Sequence, residues 1–204
     1  MNAARPRLLV ATGSAHKLAE LQRLFGDLPL DLVSLRDAGI ADEAPEDGET
    51  FEENALQKAR WYAAATRLPT LADDSGLEVD ALGGAPGVRT RRYAGASATD
   101  EENYRKLLAA LDEIPDGARG ARFVCVMAFV DPGSGLEETF RGECAGTIVR
   151  APRGDHGFGY DPVFAVDGRT MAERPPAEKD RLSHRGRAAV IAAAALRSRF
   201  EPIS

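Results

Sequence analysis

The sequence predicts an α/β fold with a mixed central sheet flanked by helices. Strand and helix patterns alternate through the first half of the chain, whereas strand patterns cluster in the second half. The chain has 204 residues, 44% of them hydrophobic, which is enough to bury a sizeable core. Because no repeat or clear linker interrupts it, we expect residues 1–204 to form one domain, with a cleft where the two halves meet.

The first half of the chain alternates between the two kinds of element. In chain order, the patterns predict a strand at 7–11, a helix at 15–25, a strand at 30–35, a helix from Thr50 to about Thr66 and an apolar strand that ends in Asp73 and Asp74. The second helix has the clearest start, because Thr50 and Glu53 match a capping box. Pro45 and Gly48 indicate an acidic loop before it.

The second half combines glycine-rich loops with strands. In chain order, we predict a loop at 83–95, a helix at 99–112, strands at 122–131 and 137–150, a short strand at 162–164 and a final helix to about Phe200. Asp100 lies near the start of the first of these helices, where the helix dipole favours negative charge. Ser183 can cap the final helix.

Composition excludes several classes of function. Lys and Arg total 26 against 32 Asp and Glu, so a net charge of −6 argues against general binding to a nucleic-acid backbone. We expect no signal peptide and no membrane-spanning segment, because the longest apolar run is too short. Cys125 and Cys144 lack metal-site spacing, so we expect buried, reduced thiols in a cytoplasmic protein.

Two adjacent carboxylates carry the most informative chemistry in the chain. Asp73 and Asp74 follow an apolar strand and precede Ser75 and Gly76. A strand that ends in carboxylates would deliver them to the carboxyl edge of a sheet, where open α/β folds bind ligands. Such carboxylates can hold Mg²⁺, which often shares its oxygen ligands with substrate phosphates. Asp, Ser and Gly also build ordinary turns, so this run alone leaves both interpretations open.

Two lysines are placed to meet an anion. Lys17 lies in the first turn of a predicted helix, where backbone N–H groups attract negative charge. Lys58 lies four residues after Asn54, so both face the same side of their helix. Each lysine could equally be a solvated surface residue. The acidic loop adds three candidates for a further metal ligand, or simply a solvated charged run: Glu43, Glu46 and Asp47.

An aromatic segment suggests recognition of a nucleobase. Phe158, Gly159, Tyr160 and Asp161 offer rings that could stack on a base and a carboxylate that could bind its edge, although such runs also pack turns. Together with the carboxylates and lysines, this segment is typical of a nucleotide-handling enzyme.

Three further polar residues lie close to the start of the final helix. Lys179 precedes it, while His184 and Arg185 fall in its first turn. The helix dipole disfavours positive charge at that position, and a bound anion or a polar base edge would offset the conflict.

The order of these motifs resembles the inosine triphosphate pyrophosphatase family, also called dITP/XTP pyrophosphatases, over about Leu8 to Phe200. The resemblance rests on the segments ATGSAHK, TFEENA, ADDSGL, GGAPG, GFGYDP, EK and SHRG. It implies an elongated, two-lobed α/β subunit with the active site in the cleft between the lobes, and a homodimer. It also implies Mg²⁺-dependent hydrolysis of small-molecule nucleoside triphosphates (ITP, dITP and XTP) to the monophosphate and pyrophosphate.

The resemblance implies a role for each matching residue. Asp74 would be the proton acceptor and, with Glu46, a Mg²⁺ ligand. Contacts to the triphosphate would come from Thr12, Gly13, Ser14, Ala15, His16, Lys17 and Lys58. Contacts to the rest of the substrate would come from Ser75, Phe158, Gly159, Tyr160, Asp161, Lys179, His184 and Arg185. The family usually has Asn where this chain has Ser14, and Asp47 beside Glu46 offers a second carboxylate.

Two other functions are compatible with parts of the pattern. A non-catalytic nucleotide-binding module would bind nucleotide without turnover, but binding alone does not require the Asp73 and Asp74 pair with Lys17. A Maf-like pyrophosphatase would act on modified pyrimidine or 7-methylguanine nucleotides. That enzyme would not be expected to carry the GFGYDP and SHRG segments.

Overall fold

The computed structural model describes residues 5–200. In chain order its strands and helices are β1 (Arg7–Ala11), α1 (Ala15–Leu24), β2 (Asp31–Ser34), α2 (Phe51–Thr66), β3 (Thr70–Val79), α3 (Asp100–Ala110), β4 (Gly120–Asp131), β5 (Leu136–Ile148), β6 (Phe164–Val166), β7 (Arg169–Thr170), α4 (Pro176–Leu182) and α5 (His184–Phe200). Short 3₁₀ turns occur at Asp80–Leu82, Gly87–Arg92, Asp116–Ala118 and Met171–Glu173.

The seven strands form one mixed sheet in the order β2-β1-β3-β4-β5-β6-β7. β1 pairs in parallel with both β2 and β3, whereas β6 pairs antiparallel with β5 and with β7. Parallel neighbours require crossover connections, and α1 and α2 lie in the two crossovers. The predicted α/β class with a mixed central sheet is therefore confirmed.

The chain divides into two compact units. The first unit contains the chain up to Asp74, Val126–Gly142 and the chain from Arg187 onward, and the second contains Ser75–Cys125 and Glu143–Gly186. The boundaries fall within β3, β4, β5 and α5. The expected single two-lobed domain with a cleft stays a prediction.

The core of the first unit is built around β1. Leu8, Leu9 and Val10 are fully buried, because a strand with parallel neighbours on both sides is covered on both faces. α2 packs against β1, and its buried alanines Ala55 and Ala59 let the two backbones approach closely. This packing brings one face of α2 close to the end of β1.

The core of the second unit forms around aromatic and branched side chains. Leu77, Leu107 and Phe123 pack with Phe164 in one buried cluster. The rings of Phe123 and Phe164 meet edge to face with centroids 4.7 Å apart. The predicted strands at 122–131 and 137–150 are confirmed as β4 and β5, which contribute to this core.

Three predictions about elements need correction. β3 does not end at Asp73 and Asp74 but continues to Val79, because Leu77 and Val79 are fully buried in the second unit's core and extend the strand. β6 begins at Phe164, two positions later than predicted. α4 was not predicted; it begins with Pro176, and proline is well suited to the first helical position.

The cap signals proved reliable. Ser14 caps α1, Thr50 forms the predicted capping box with Glu53, and Ser183 Oγ accepts the backbone N–H of Gly186 in the first turn of α5. The two cysteines are buried thiols, as predicted. Within residues 5–200, no helix combines the length and apolar character needed to cross a membrane.

Candidate active site

The predicted phosphate-binding residues lie on the turn between β1 and α1. Thr12 Oγ1 accepts the N–H of Ser14 at 3.2 Å, and Ser14 Oγ accepts the N–H of Lys17 at 3.3 Å. Gly13, Ala15 and His16 on the same turn are exposed. Serine and asparagine are equally favoured helix caps, so Ser14 preserves the start of α1 that an asparagine would also provide.

Asp73 holds both candidate lysines. Asp73 is 2% exposed, and its Oδ2 lies 3.0 Å from Lys17 Nζ. Its backbone carbonyl accepts a hydrogen bond from Lys58 Nζ at 3.0 Å. The β1–β3 register, which places Ala11 beside Ala72, explains how the turn after β1 reaches this point.

Asp74 is a buried carboxylate with unused capacity to bind. It is 8% exposed, and its Oδ2 has no hydrogen-bond partner among residues 5–200. Burial raises the pKa of Asp74 above its ordinary value, the charges of Lys58 and Lys17 oppose that shift, and Glu46 adds to it. A buried acceptor without a partner is costly, so this oxygen is suited to a cation, a water molecule or a proton.

Lys58 stays charged inside this cluster. Burial on its own would lower the pKa of Lys58, but the carboxylates of Glu46, Asp73 and Asp74 outweigh burial and raise that pKa. The shortest contact joins Lys58 Nζ to Glu46 Oε1 at 2.6 Å. The cluster therefore presents a protonated lysine near the Asp74 carboxylate, whose Oδ2 has no hydrogen-bond partner among residues 5–200.

The acidic loop contributes Glu46 rather than Asp47 to this cluster. Asp47 turns toward α2, where its Oδ1 accepts a hydrogen bond from Gln57 Nε2 at 2.6 Å. The loop packs tightly against α2, since Asn54 Oδ1 accepts the N–H of Gly48 at 2.8 Å. A Cβ at Gly48 would approach Asn54 Oδ1 to 2.9 Å, so only glycine fits there without displacement.

Asp74 and Glu46 supply the hard oxygen ligands that suit Mg²⁺. Within residues 5–200, no group of three or more His, Cys, Asp or Glu side chains is arranged to hold a metal ion. Mg²⁺ commonly keeps several waters and takes only one or two protein carboxylates together with substrate phosphates. These two carboxylates therefore suit a Mg²⁺ ion that is also coordinated by substrate phosphates. They are too few to enclose the ion with protein ligands alone.

A second cluster lies in the second unit around Asp161 and Lys179. These side chains are 3% and 4% exposed, and Lys179 Nζ lies 2.5 Å from Asp161 Oδ2. The same oxygen accepts the backbone N–H of Phe158 at 2.9 Å, and Lys179 Nζ lies 4.7 Å from the centroid of the Phe158 ring. Asp161 therefore fixes the loop and the lysine together.

Arg185 joins this second cluster from the start of α5. Its guanidinium donates to Ser75 Oγ at 2.8 Å and lies 5.8 Å from the centroid of the Phe158 ring. Arg185 is 1% exposed, so its position is set by packing as well as by these contacts. His184 stacks on Phe123 with centroids 4.6 Å apart. The second unit thus brings Ser75 together with the predicted aromatic loop and its cations.

Tyr160 has a structural position in the same loop. It is 2% exposed, and its hydroxyl donates to the carbonyl of Thr90 at 2.9 Å. Burial raises the pKa of the Tyr160 phenol above its ordinary value, so this hydroxyl remains a hydrogen-bond donor. In the structure the ring that contacts Lys179 and Arg185 is that of Phe158.

A model of the Ham1 family matches residues 8–194 of the chain. The chain belongs to the Ham1 family. A dITP/XTP pyrophosphatase of Nocardia farcinica (strain IFM 10152) is 55% identical over 187 residues, which cover 89% of this chain and 90% of the relative. A Mycobacterium bovis protein of the same name is 54% identical over 197 residues, covering 94% and 96%.

Solved structures of the Ham1 family share this fold. A HAM1 protein from Coxiella burnetii is 43% identical, has a TM-score of 0.85, and covers 94% of this chain and 98% of its own. Family membership confirms the resemblance drawn from the order of the motifs.

Sequence reasoning left Asp73 without a role. Strand geometry indicates that Asp73 and Asp74 have different roles. Successive side chains in a strand point to opposite faces, so the two adjacent carboxylates in β3 meet different surroundings. The partner of Asp73 could not be predicted, since Lys17 reaches it only through the pairing of β1 with β3.

Two glycines in the aromatic loop allow a matched test of this packing. Gly157 has φ +78°, and a Cβ there would lie 2.1 Å from Asp161 Oδ2, whereas Gly159 has φ +63° and an open site. We expect Gly159→Ala to lower the free energy of unfolding by roughly 1–2 kcal/mol for backbone strain alone. Gly157→Ala should lower it by at least about 1 kcal/mol more, because it also disrupts buried hydrogen bonds. Urea unfolding measures both, and equal losses would contradict the proposed packing.

Proposed function

We propose that this Ham1-family chain is a Mg²⁺-dependent pyrophosphatase that converts ITP, dITP and XTP to their monophosphates and pyrophosphate, removing them from the nucleotide pool. Relatives that are 54–55% identical and named dITP/XTP pyrophosphatases support the enzyme class. The observation that carries the proposal is the buried Asp74 carboxylate, which lies in the field of two lysines and keeps one oxygen without a partner among residues 5–200. A homodimer, which the motif resemblance implies, and a cytoplasmic location, which the sequence predicts, belong to the proposal.

The triphosphate is held by the turn after β1 and by Lys58. N–H groups in the first turn of α1 favour a bound anion, and Lys17 adds a full positive charge there. Asp73 restrains Lys17 through its carboxylate and Lys58 through its carbonyl before any substrate arrives. Cations that are already in place stabilise charge on departing pyrophosphate without reorganisation, which is the more effective arrangement.

Asp74 acts as the proton acceptor. A water molecule attacks the α-phosphorus, a new P–O bond forms, the bond to the bridging oxygen breaks, and Asp74 accepts the water proton. A raised pKa makes a carboxylate a stronger base, provided that it is still ionised, and Lys17 and Lys58 favour the ionised form. Asp74 and Glu46 would hold Mg²⁺, which when bound neutralises phosphate charge and polarises the P–O bonds.

The base is recognised by the cluster in the second unit. The Phe158 ring offers a stacking surface, and Lys179 and Arg185 are hydrogen-bond donors beside it. A 6-keto purine presents an acceptor to such donors. The 6-amino group of adenine would leave them unpaired, and unpaired buried groups allow strong rejection of a mismatched substrate. Selectivity against GTP requires that the site also rejects the 2-amino group of guanine.

A substrate panel tests the reaction and its selectivity. With Mg²⁺ present, we expect the chain to convert ITP, dITP and XTP to monophosphate and pyrophosphate at least tenfold faster than ATP or GTP, and EDTA to abolish turnover. Product analysis by ion-exchange chromatography measures both. Release of orthophosphate with a nucleoside diphosphate would exclude attack at the α-phosphorus. Equal rates with ATP and ITP would exclude the proposed selectivity, and tight binding without turnover would favour a non-catalytic module.

Replacing Asp74 tests the proposed base. Asp74→Asn keeps the shape of the side chain but removes its basic oxygen, so we expect turnover of ITP to fall at least about 100-fold with the thermal unfolding temperature retained. Glu43→Gln on the exposed acidic loop is a matched loss of one carboxylate and should leave turnover within about twofold. Wild-type rates for Asp74→Asn, or equal losses in both variants, would remove Asp74 from its role.

A further inference from the structure

The aromatic loop of the second unit has an anchor that the proposed function does not use. Gly159 donates its backbone N–H to Asp100 Oδ2 at 2.7 Å. Asp100 is the first residue of α3, and a capping box between Thr99 and Glu102 fixes that end of the helix. The carboxylate that accepts the Gly159 N–H therefore lies at a helix N-terminus that is stabilised by a capping box.

A second set of contacts ties the same loop to α3 by another route. Asn103, which is 2% exposed, accepts the N–H of Ala94 at 2.8 Å and donates to the carbonyl of Arg91 at 2.9 Å. The residue before Arg91 is Thr90, whose carbonyl accepts the Tyr160 hydroxyl. α3 thus holds two consecutive loop residues, Gly159 directly and Tyr160 through the 90–94 segment.

We propose that Asp100 is a positioning residue that fixes the Phe158 loop and thereby sets the affinity for the base. This inference rests on the proposed function, in which Phe158 stacks on the base. Gly159 adopts φ +63°, and a glycine backbone can leave this conformation more easily than that of other residues. An ionised carboxylate holds an N–H more strongly than a neutral acceptor, so Asp100 restrains the residue next to Phe158. A loop ordered beforehand loses less entropy when ligand binds.

Glu101, in the same helical turn, provides a matched control for a purely structural role of Asp100. An acidic residue at a helix N-terminus stabilises the helix through the dipole wherever it points. Glu101 is also acidic and also in the first turn of α3, but it pairs with Arg105, with Oε1 and Nη2 2.6 Å apart. Glu101→Ala therefore removes the helix effect without touching the loop.

The experiment compares Asp100→Ala, Asp100→Asn and Glu101→Ala with the unaltered chain. We expect Asp100→Ala to raise KM for ITP about three- to tenfold with kcat changed less than about twofold, consistent with loss of one hydrogen bond that orders the site. Asp100→Asn retains an acceptor oxygen without the charge and should recover part of the loss. Glu101→Ala should leave KM within about twofold. Exchange of the Gly159 amide hydrogen, followed by NMR without nucleotide, should accelerate at least about threefold in Asp100→Ala alone.

The two readouts separate this inference from the proposed function. An unchanged Gly159 exchange rate in Asp100→Ala, or an equal increase in Glu101→Ala, would overturn the positioning role whether or not the chain is active. A fall in kcat with KM unchanged would overturn the link to base affinity. Lack of ITP turnover by the unaltered chain would overturn the proposed function and with it that link, while the exchange rates would still decide whether Asp100 holds the loop.

Discussion

The burial of two consecutive carboxylates inside β3 is the constraint on which the rest of the site depends. Asp73 and Asp74 are 2% and 8% exposed, and moving two carboxylates out of water costs several kcal/mol each unless opposite charges are near. Lys17 and Lys58 supply those charges from α1 and α2. Moving the turn after β1 or the face of α2 would leave these carboxylates without compensating charge and would destabilise β3.

Asp73 and Asp74 have different roles because their surroundings differ. Asp73 forms an ion pair with Lys17 and accepts a hydrogen bond from Lys58 through its carbonyl, and Asp74 lies in the field of both lysines with its Oδ2 unpartnered among residues 5–200. The second unit repeats the principle, since Asp161 uses one oxygen to hold Lys179 and the amide of Phe158. In both units a buried carboxylate orients cations and leaves neighbouring groups available for a ligand. The proposed chemistry follows from this division.

Local sequence patterns predicted much of the fold. The features that these patterns did not predict depend on contacts between residues distant in sequence. Caps such as Ser14 and Thr50 act within four residues, so their patterns located the starts of α1 and α2. The ion pair of Lys17 with Asp73 depends on the register of β1 with β3, which periodicity does not specify. The helix dipole is sufficient to explain an acidic residue at the start of α3. The sequence pattern therefore does not indicate that Asp100 also accepts a hydrogen bond from Gly159 in the aromatic loop.

A double-mutant cycle on the unfolding free energy tests most directly whether charge compensation holds the site together. The cycle combines Lys17→Met and Asp73→Asn and is measured by urea unfolding in EDTA, so that no metal contributes. Each single change leaves a charge without its partner, while the double change removes both, so we predict a coupling free energy above about 1 kcal/mol. Additive effects, with coupling below about 0.5 kcal/mol, would contradict the account.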